Sequence, residues 1–225
     1  MKITFEYEVD ALEWDGLAEK LGGGYHHCHS AILAEALNAN AQPLFVKALH
    51  GKNECAGIAA CTIAQSRIWP FSQYCKYAMM SSLPATLDSS AASQQSIMKK
   101  LEEYLCHEGA FKIKVFSYDS PKSETVLSQL GYELTKRWEF YIDLKKTLEE
   151  IWQSFSRSRR KDIRKAEKMG VVSRMENTIE AARQALALHD QSMQRREVFS
   201  QMKEKSSMLA IENLFKNKRI EVLMT

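Results

Sequence analysis

The stretch TLEEIWQSFSRSRRKDIRKAEKMG, residues 147–170, is the most informative part of this 225-residue chain. Thr147 and Glu150 form the Thr-x-x-Glu pattern of a capping box, in which each side chain bonds the backbone N–H of the other residue. Gly170 is typical of the end of a helix, because glycine tolerates the left-handed backbone that is common there. The pattern predicts one continuous helix over residues 147–170.

This helix is predicted to have an apolar side and a basic side. At 100° per residue, a sector about 120° wide holds the apolar side chains, which are Trp152, Phe155, Ile163 and Ala166. The opposite side carries Arg157, Arg160, Lys161, Arg164, Lys165 and Lys168. Arg159 falls inside the apolar sector, where an arginine needs a partner or a ligand. We therefore expect Arg159 to point into a site, and Arg159→Ala to weaken substrate binding more than Lys168→Ala. The alternative is a solvated stripe from which Arg159 reaches water.

The charge of the chain is unevenly distributed. Residues 1–150 contain 15 Lys and Arg against 19 Asp and Glu, a net charge of −4, and residues 151–225 contain 16 against 9, a net charge of +7. Such asymmetry is an argument about partners and not about fold. It predicts that the C-terminal third of the chain faces something anionic.

The remaining elements predict a mixed α/β fold. Hydrophobic periodicity indicates strands near 2–8, 44–49, 55–63, 74–80, 111–116 and 132–144, and helices near 11–20, 30–37, 90–107, 122–130 and 177–195. The three strands between 44 and 80 predict an antiparallel meander. Strands mixed with packed helices in this order indicate a mixed, largely antiparallel sheet with flanking helices. We expect one domain over residues 1–146 and a second, incomplete one over residues 147–225.

The chemistry that can be predicted from single residues is limited. The five cysteines have no CxxC spacing and an odd count, which disfavours a disulfide framework or a zinc cluster. The cluster His26, His27, Cys28 and His29 lacks a second ligand pair, so no metal site is predicted, although His27 or His29 could line a groove. No G-x-S-x-G motif is present in the sequence, so a covalent acyl-enzyme has little support and the catalytic residues stay unknown. Reduced thiols, together with an N-terminus that lacks a signal-peptide pattern, predict a cytoplasmic protein without a transmembrane segment.

The segment LEEIWQSFSRSRRKDIRKAEKMGV, read after the strand-like WEFYIDL, resembles the signature that opens the second half of FemAB-type proteins in the GNAT acyltransferase superfamily. The resemblance extends through Trp14 and its helix, the YHHCHS stretch and the LFVKALHGKNECAGIAA hairpin. It implies two GNAT-like domains in tandem, of which residues 147–225 would be the start of the second, with a last strand that lacks a partner. Such an open edge is a reason to expect a homodimer.

The same resemblance implies an activity. Similar proteins transfer an aminoacyl group from aminoacyl-tRNA to the amine of a peptidoglycan precursor, and relatives use acyl-CoA; both donors are polyanions. It carries over five residues as phosphate contacts, namely Arg159, Arg160, Lys161, Arg164 and Lys165. We therefore expect an acyltransferase with no permanently bound cofactor, which acts on a small or lipid-linked amine acceptor, with tRNA as a possible partner, by direct transfer. The alternatives are a polyanion-binding or RNA-binding module without catalysis and an acyl-CoA N-acetyltransferase, which the lack of a glycine-rich loop disfavours.

Overall fold

The computed structural model describes residues 1–51, 54–65, 76–118, 123–136, 142–195, 208–216 and 223–224. Its strands are β1 (Lys2–Glu6), β2 (Gln42–His50), β3 (Glu54–Gln65), β4 (Lys76–Met80), β5 (Ala85–Thr86), β6 (Ala110–Val115), β7 (Arg174–Met175) and β8 (Leu223–Met224). Its helices are α1 (Ala11–Lys20), α2 (His29–Ala39), α3 (Ala91–His107), α4 (Ser123–Gln129), α5 (Leu148–Ser154), α6 (Arg157–Lys168), α7 (Ile179–Arg195) and α8 (Met208–Lys216). None of these helices is long and apolar enough to span a membrane.

The main sheet is mixed and mostly antiparallel. Its order is β1-β2-β3-β4-β6, and β5 pairs with β3 beside this path. The predicted meander is present as β2, β3 and β4, which pair antiparallel, whereas β4 and β6 are parallel. A parallel pair needs a crossover connection, which here contains α3. The predicted fold class, mixed α/β with a largely antiparallel sheet and flanking helices, is confirmed.

The alternation of side chains along β2 explains why helices cover both faces of the sheet. Leu44, Val46 and Ala48 belong to the apolar cluster that also contains residues of α3 and α4. Phe45 belongs to the opposite cluster, which contains Trp14 of α1 and residues of α2. Because successive strand residues point to opposite faces, the consecutive apolar residues Leu44, Phe45 and Val46 require cover on both sides of the sheet.

Gly57 of β3 allows α3 to approach the sheet closely. A Cβ atom at this position would lie 2.6 Å from Ile97 Cδ1 and 3.2 Å from the carbonyl oxygen of Ala85. Ile97 is buried in the α3 cluster. The absence of a side chain at Gly57 is therefore a packing requirement of this layer.

The chain divides into two compact units. The first comprises Met1–Leu134 and Leu186–Ile220 and contains the main sheet, α1 to α4 and α8, with α8 packed on α2. The second comprises Thr135–Ala185 and Glu221–Thr225 and contains α5, α6 and the small β7–β8 ladder. The predicted domains, 1–146 and 147–225, and the GNAT-like character of the second stay predictions.

The prediction of one helix over residues 147–170 is wrong, because two helices occupy the segment. Both predicted ends are present: Thr147 and Glu150 form the capping box, and Gly170 has a φ of +77°. Between them, Phe155 is extended with a ψ of 142°, and the Ser156 hydroxyl accepts the backbone N–H of Arg159 at 3.2 Å. A serine that can cap a helix competes with helix continuation, so α6 begins anew at Arg157.

Two strand predictions also need correction. Residues 132–136 and 142–144 of the predicted strand 132–144 are not in a strand, and residues 137–141 lie outside the described residues. The last strand, β8, does have a partner, since Leu223 and Met224 pair antiparallel with Met175 and Arg174. The expected open edge at β8 is therefore paired on one side.

Candidate anion-binding site

The break between α5 and α6 creates a concave basic surface in the second unit. Trp152 and Gln153 of α5 face the new helix. The guanidinium of Arg160 donates a hydrogen bond to Gln153 Oε1 at 2.8 Å, and the guanidinium of Arg164 lies 5.6 Å from the centre of the Trp152 ring. Both contacts orient long cationic side chains that would otherwise be disordered by rotamer entropy. The break thus converts a straight basic stripe into a shaped surface.

The resulting concavity has a volume of about 750 Å³. Two of its lining residues are Trp152 and Gln153, and the other six are cationic: Arg157, Arg160, Lys161, Arg164, Lys165 and Lys168. No acidic residue of the described chain lines it. We call this set of eight residues the basic cleft.

The structure brings together four of the five residues carried over as phosphate contacts. Arg160, Lys161, Arg164 and Lys165 line the basic cleft, and Arg159 does not. The prediction that Arg159 points inward is wrong: its side chain is exposed, whereas Arg160 is half-buried. The physical reason is the break between α5 and α6. Because Phe155 and Ser156 are not helical, the directions in which the α6 side chains point no longer continue the 100° steps counted from Trp152. A single helical wheel assumes one phase from end to end.

The basic cleft is suited to bind a polyanion. Arginine offers a fork of N–H donors that matches phosphate oxygens, and lysine offers a compact charge. Six cations on one helix repel each other in the free protein, so a bound polyanion relieves that repulsion. Described side chains in the cleft include no hydroxyl, thiol, imidazole or carboxylate, so its chemistry is that of an anion-binding surface.

Two of the described cysteines, Cys55 and Cys61, are poor candidates for a nucleophile. Burial raises the pKa of the Cys61 thiol to about 12, and burial also raises the pKa of Cys55. Since the thiolate is the reactive form, neither is activated; Cys75 lies outside the described residues. The described residues also contain no group of three or more His, Cys, Asp and Glu arranged to hold a metal ion.

The N-terminus of α3, which follows β5, is already occupied by side chains of the chain itself. Asp88 Oδ1 accepts the backbone N–H of Ser90 at 3.1 Å, and Asp88 Oδ2 accepts the Ser93 hydroxyl at 2.8 Å. The Ser90 hydroxyl accepts the backbone N–H of Ser93 at 3.1 Å. The hydrogen bonds that Ser90 and Ser93 donate to Asp88 lower the pKa of this carboxyl group to about 2. A carboxylate at this position repels an anionic ligand, so the helix end is not a phosphate site.

A second polar constellation lies in the first unit and is not visible in the sequence. His26 Nδ1 lies 3.1 Å from Glu35 Oε1, the Ser81 hydroxyl donates to Glu35 Oε2 at 2.8 Å, and the Tyr118 ring stacks on the His26 ring at 4.8 Å. We call these four residues the His26 cluster. The only hint of this cluster in the sequence is the position of two residues just after strands: Ser81 directly follows β4, and Tyr118 lies shortly after β6, which is parallel to β4.

The neighbouring histidines have structural roles. His27 is buried; its Nδ1 accepts the backbone N–H of Gly24 at 3.2 Å, so its Nε2 carries the proton that is donated to the Leu83 carbonyl at 2.9 Å. His29 stacks on Phe45 with a centroid distance of 5.4 Å, and burial lowers its pKa. The suggestion that His27 lines a groove is therefore not supported, because both its ring nitrogens are used within the fold.

Comparison with known proteins places the basic cleft within a family match. The model of the FemAB family matches residues 124–205, which include α5 and α6. No curated protein matches the chain.

Similar solved structures include three acetyltransferases. The first is a putative acetyl transferase from Pyrococcus furiosus, with 18% identity and a TM-score of 0.42, covering 63% of this chain and 100% of that chain. The second is an acetyltransferase from Trypanosoma brucei, with 14% identity and a TM-score of 0.42, covering 64% of this chain and 100% of that chain. The third is the aminoglycoside N-acetyltransferase AAC(6')-Iy in complex with CoA, with 16% identity and a TM-score of 0.41, covering 63% of this chain and 98% of that chain. The family match supports an acyltransferase, and it confirms the resemblance predicted from the sequence, because residues 124–205 match the model of the FemAB family.

Proposed function

We propose that this protein transfers an acyl group from a polyanionic donor, aminoacyl-tRNA or acyl-CoA, to an amine acceptor. The observation that carries the proposal is the basic cleft, in which six cations and no described acidic residue surround a volume of about 750 Å³. Both donors carry several phosphates, and the positive charge of the cleft matches that feature. The family resemblance adds an acceptor class, the side-chain amine of a peptidoglycan precursor.

The proposed route is direct attack of the amine on the donor carbonyl in a ternary complex. Burial raises the pKa of Cys55 and Cys61, and the described lining of the basic cleft contains no hydroxyl or thiol, so these residues give no support to an acyl-enzyme on serine, threonine or cysteine. Direct transfer depends on holding the amine near the ester or thioester carbonyl and on removing the amine proton. Mass spectrometry of the protein incubated with donor alone tests the route, and a covalent acyl adduct would contradict it.

Aminoacyl-tRNA is the donor that we favour of the two. The strand-to-helix junction at α3 presents Asp88 where a pyrophosphate would bind, so this helix end does not favour a compact pyrophosphate. The basic cleft distributes its cations along a helix of 12 residues, about 18 Å at 1.5 Å per residue. That length suits several successive phosphates of a nucleic acid better than one compact pyrophosphate.

The decisive experiment uses the full chain with two donors, alanyl-tRNA and acetyl-CoA, and a lysine-containing peptidoglycan peptide as acceptor. Formation of the amide product from either donor supports the proposal, and the donor that reacts identifies the class. The Arg160→Ala variant should weaken donor binding, and Arg159→Ala, which removes the same charge from a side chain outside the basic cleft, is the matched control. Salt-dependent tRNA binding with no amide from either donor would instead identify a binding module without catalysis.

A further inference from the structure

The His26 cluster lies at the carboxyl ends of the two parallel strands of the sheet. β4 ends at Met80 and β6 ends at Val115, and the chain continues the pairing beyond both ends. The backbone N–H of Phe116 donates to the Met80 carbonyl, and that of Tyr118 donates to the Ser81 carbonyl, each at 2.8 Å. Carboxyl ends of neighbouring parallel strands are where ligands bind in open α/β sheets. The position of the cluster is therefore that of a site.

Three separate parts of the first unit hold the cluster in place. His26 belongs to the short 3₁₀ turn Tyr25–His27, which the His27–Leu83 hydrogen bond ties to the segment after β4. Glu35 lies on α2, and Tyr118 is aimed by Ser117, whose φ of +51° is unusual for a residue other than glycine. Strained backbone of this kind persists where surrounding structure over-determines it, and it concentrates at functional positions.

The hydrogen bonds of Glu35 decide which nitrogen of His26 carries the proton. Glu35 Oε2 accepts the Ser81 hydroxyl, and Glu35 Oε1 lies 3.1 Å from His26 Nδ1. An ionised carboxylate only accepts hydrogen bonds, so Nδ1 must donate. In the neutral ring, Nε2 then carries the lone pair, and it has no hydrogen-bond partner among the described residues. The His26 side chain keeps 20% of its surface exposed, and that of Glu35 keeps 35%, so a reactant can reach the cluster.

We propose that His26 is the acid–base residue of the acyl transfer, with Glu35 as its positioning residue. This inference rests on the proposed function. The acceptor nitrogen attacks the carbonyl carbon of the donor and forms the C–N bond, and its proton moves to His26 Nε2. When the tetrahedral intermediate collapses, the C–O bond of an ester or the C–S bond of a thioester breaks. The imidazolium returns the proton to the leaving oxygen or sulfur, so the products are an amide and a neutral alcohol or thiol.

The surroundings of the His26 ring suit this role. Glu35 is the charged group in contact with it, and Tyr118 stacks on one face while Tyr25 meets the ring edge-to-face at 5.2 Å. The Glu35 carboxylate beside Nδ1 stabilises the imidazolium that forms during the reaction. The same contact directs Nδ1 towards α2, so Nε2 is on the side of the ring away from this helix. The tyrosine rings limit rotation of the imidazole. Proton transfer by a side chain held in this way contributes about 10²–10⁴-fold to a rate.

The test compares His26→Gln with His107→Gln in the full chain. His107 is an exposed histidine in the last turn of α3, outside the cluster, so it reproduces the chemical change without the site. With alanyl-tRNA or acetyl-CoA as donor and the lysine peptide as acceptor, we expect His26→Gln to lower kcat by about 10²-fold or more. His107→Gln should keep the wild-type kcat, and donor KM should be unchanged in both variants.

Two further measurements separate a chemical role from a structural one. Added imidazole should restore part of the activity of His26→Ala, which a misfolded variant would not show. Long-range ¹H–¹⁵N spectra of the wild-type protein should identify His26 as the Nδ1–H tautomer, and Glu35→Gln should remove that preference. Wild-type kcat in His26→Gln, or a proton found on Nε2 in the neutral ring, refutes the inference alone. No transfer by the wild-type protein from either donor refutes the proposed function and the inference with it.

Discussion

The position of α6 predicts that Arg160→Ala weakens binding of uncharged tRNA, whereas Arg159→Ala does not. Arg160 lines the basic cleft and is oriented by its 2.8 Å hydrogen bond to Gln153, and Arg159 is exposed outside the cleft. A hydrogen bond to a charged group contributes about 1.5–3 kcal/mol. At about 1.4 kcal/mol per tenfold change, Arg160→Ala should raise the Kd by about 10-fold to 100-fold.

The salt dependence gives a second magnitude from the same structure. Each phosphate that a cation neutralises contributes about −0.7 to −0.9 to the slope of log Kobs against log salt. Six lining cations therefore predict a wild-type slope of about −4 to −5 if each meets one phosphate. Arg160→Ala should reduce the magnitude of the slope by about one contact, and Lys168→Ala should do the same.

Fluorescence anisotropy of labelled tRNA between about 50 and 200 mM salt measures both quantities. Arg159→Ala is the matched control because it removes the same charge from the same helix. Equal losses of affinity and slope in Arg159→Ala and Arg160→Ala would show that the cations act as a uniform solvated stripe. That result would refute the reasoning from the concave shape. It would instead support the alternative given from the sequence, a solvated stripe, for which Arg159→Ala and Lys168→Ala have equal effects on binding.

Three further predictions concern the fold. Gly57→Ala should lower the free energy of unfolding, measured with urea, by about 1–3 kcal/mol through overpacking, because the new Cβ would lie 2.6 Å from Ile97 Cδ1. The control is Gly16→Ala in α1, where a Cβ would have nothing within 4 Å. This control should raise the free energy of unfolding by about 0.5–1 kcal/mol. Ser156→Ala should lower the free energy of unfolding of the second unit by about 1 kcal/mol, because the Ser156 hydroxyl caps α6 by accepting the Arg159 N–H. An unchanged thermal unfolding transition of this unit would contradict the assigned cap. Hydrogen bonds from Ser90 and Ser93 lower the pKa of Asp88 from 3.8 to about 2. The ionised Asp88 carboxylate therefore adds to the free energy of unfolding above pH 3.8, and this contribution is lost as pH falls towards 2. Calorimetry should therefore show the Tm difference between wild type and Asp88→Asn shrinking over that interval, and a constant difference would count against the assignment.

Much of the fold could be predicted because its signals are local. The Ser90 cap of α3, the Thr147–Glu150 box and the left-handed glycines at 109, 131 and 170 each depend on a few neighbouring residues. The failures have the same explanation. Ser156 competes with its own helix through one hydrogen bond, and the sequence could not decide between a capped break and a continuous helix, since the capping box and Gly170 mark the two ends of the segment in both cases.

The sequence by itself determined that a short segment concentrates cations, that it is helical and that it resembles FemAB proteins. Only the tertiary structure decided which cations share a concave surface, because the break at Ser156 sets the direction of α6 relative to Trp152. The structure also decided that His26, Glu35, Ser81 and Tyr118 meet, with Glu35 and Ser81 separated by 46 positions. Periodicity and capping describe neighbours along the chain, whereas a site joins residues that come together only when strands pair and helices pack over them.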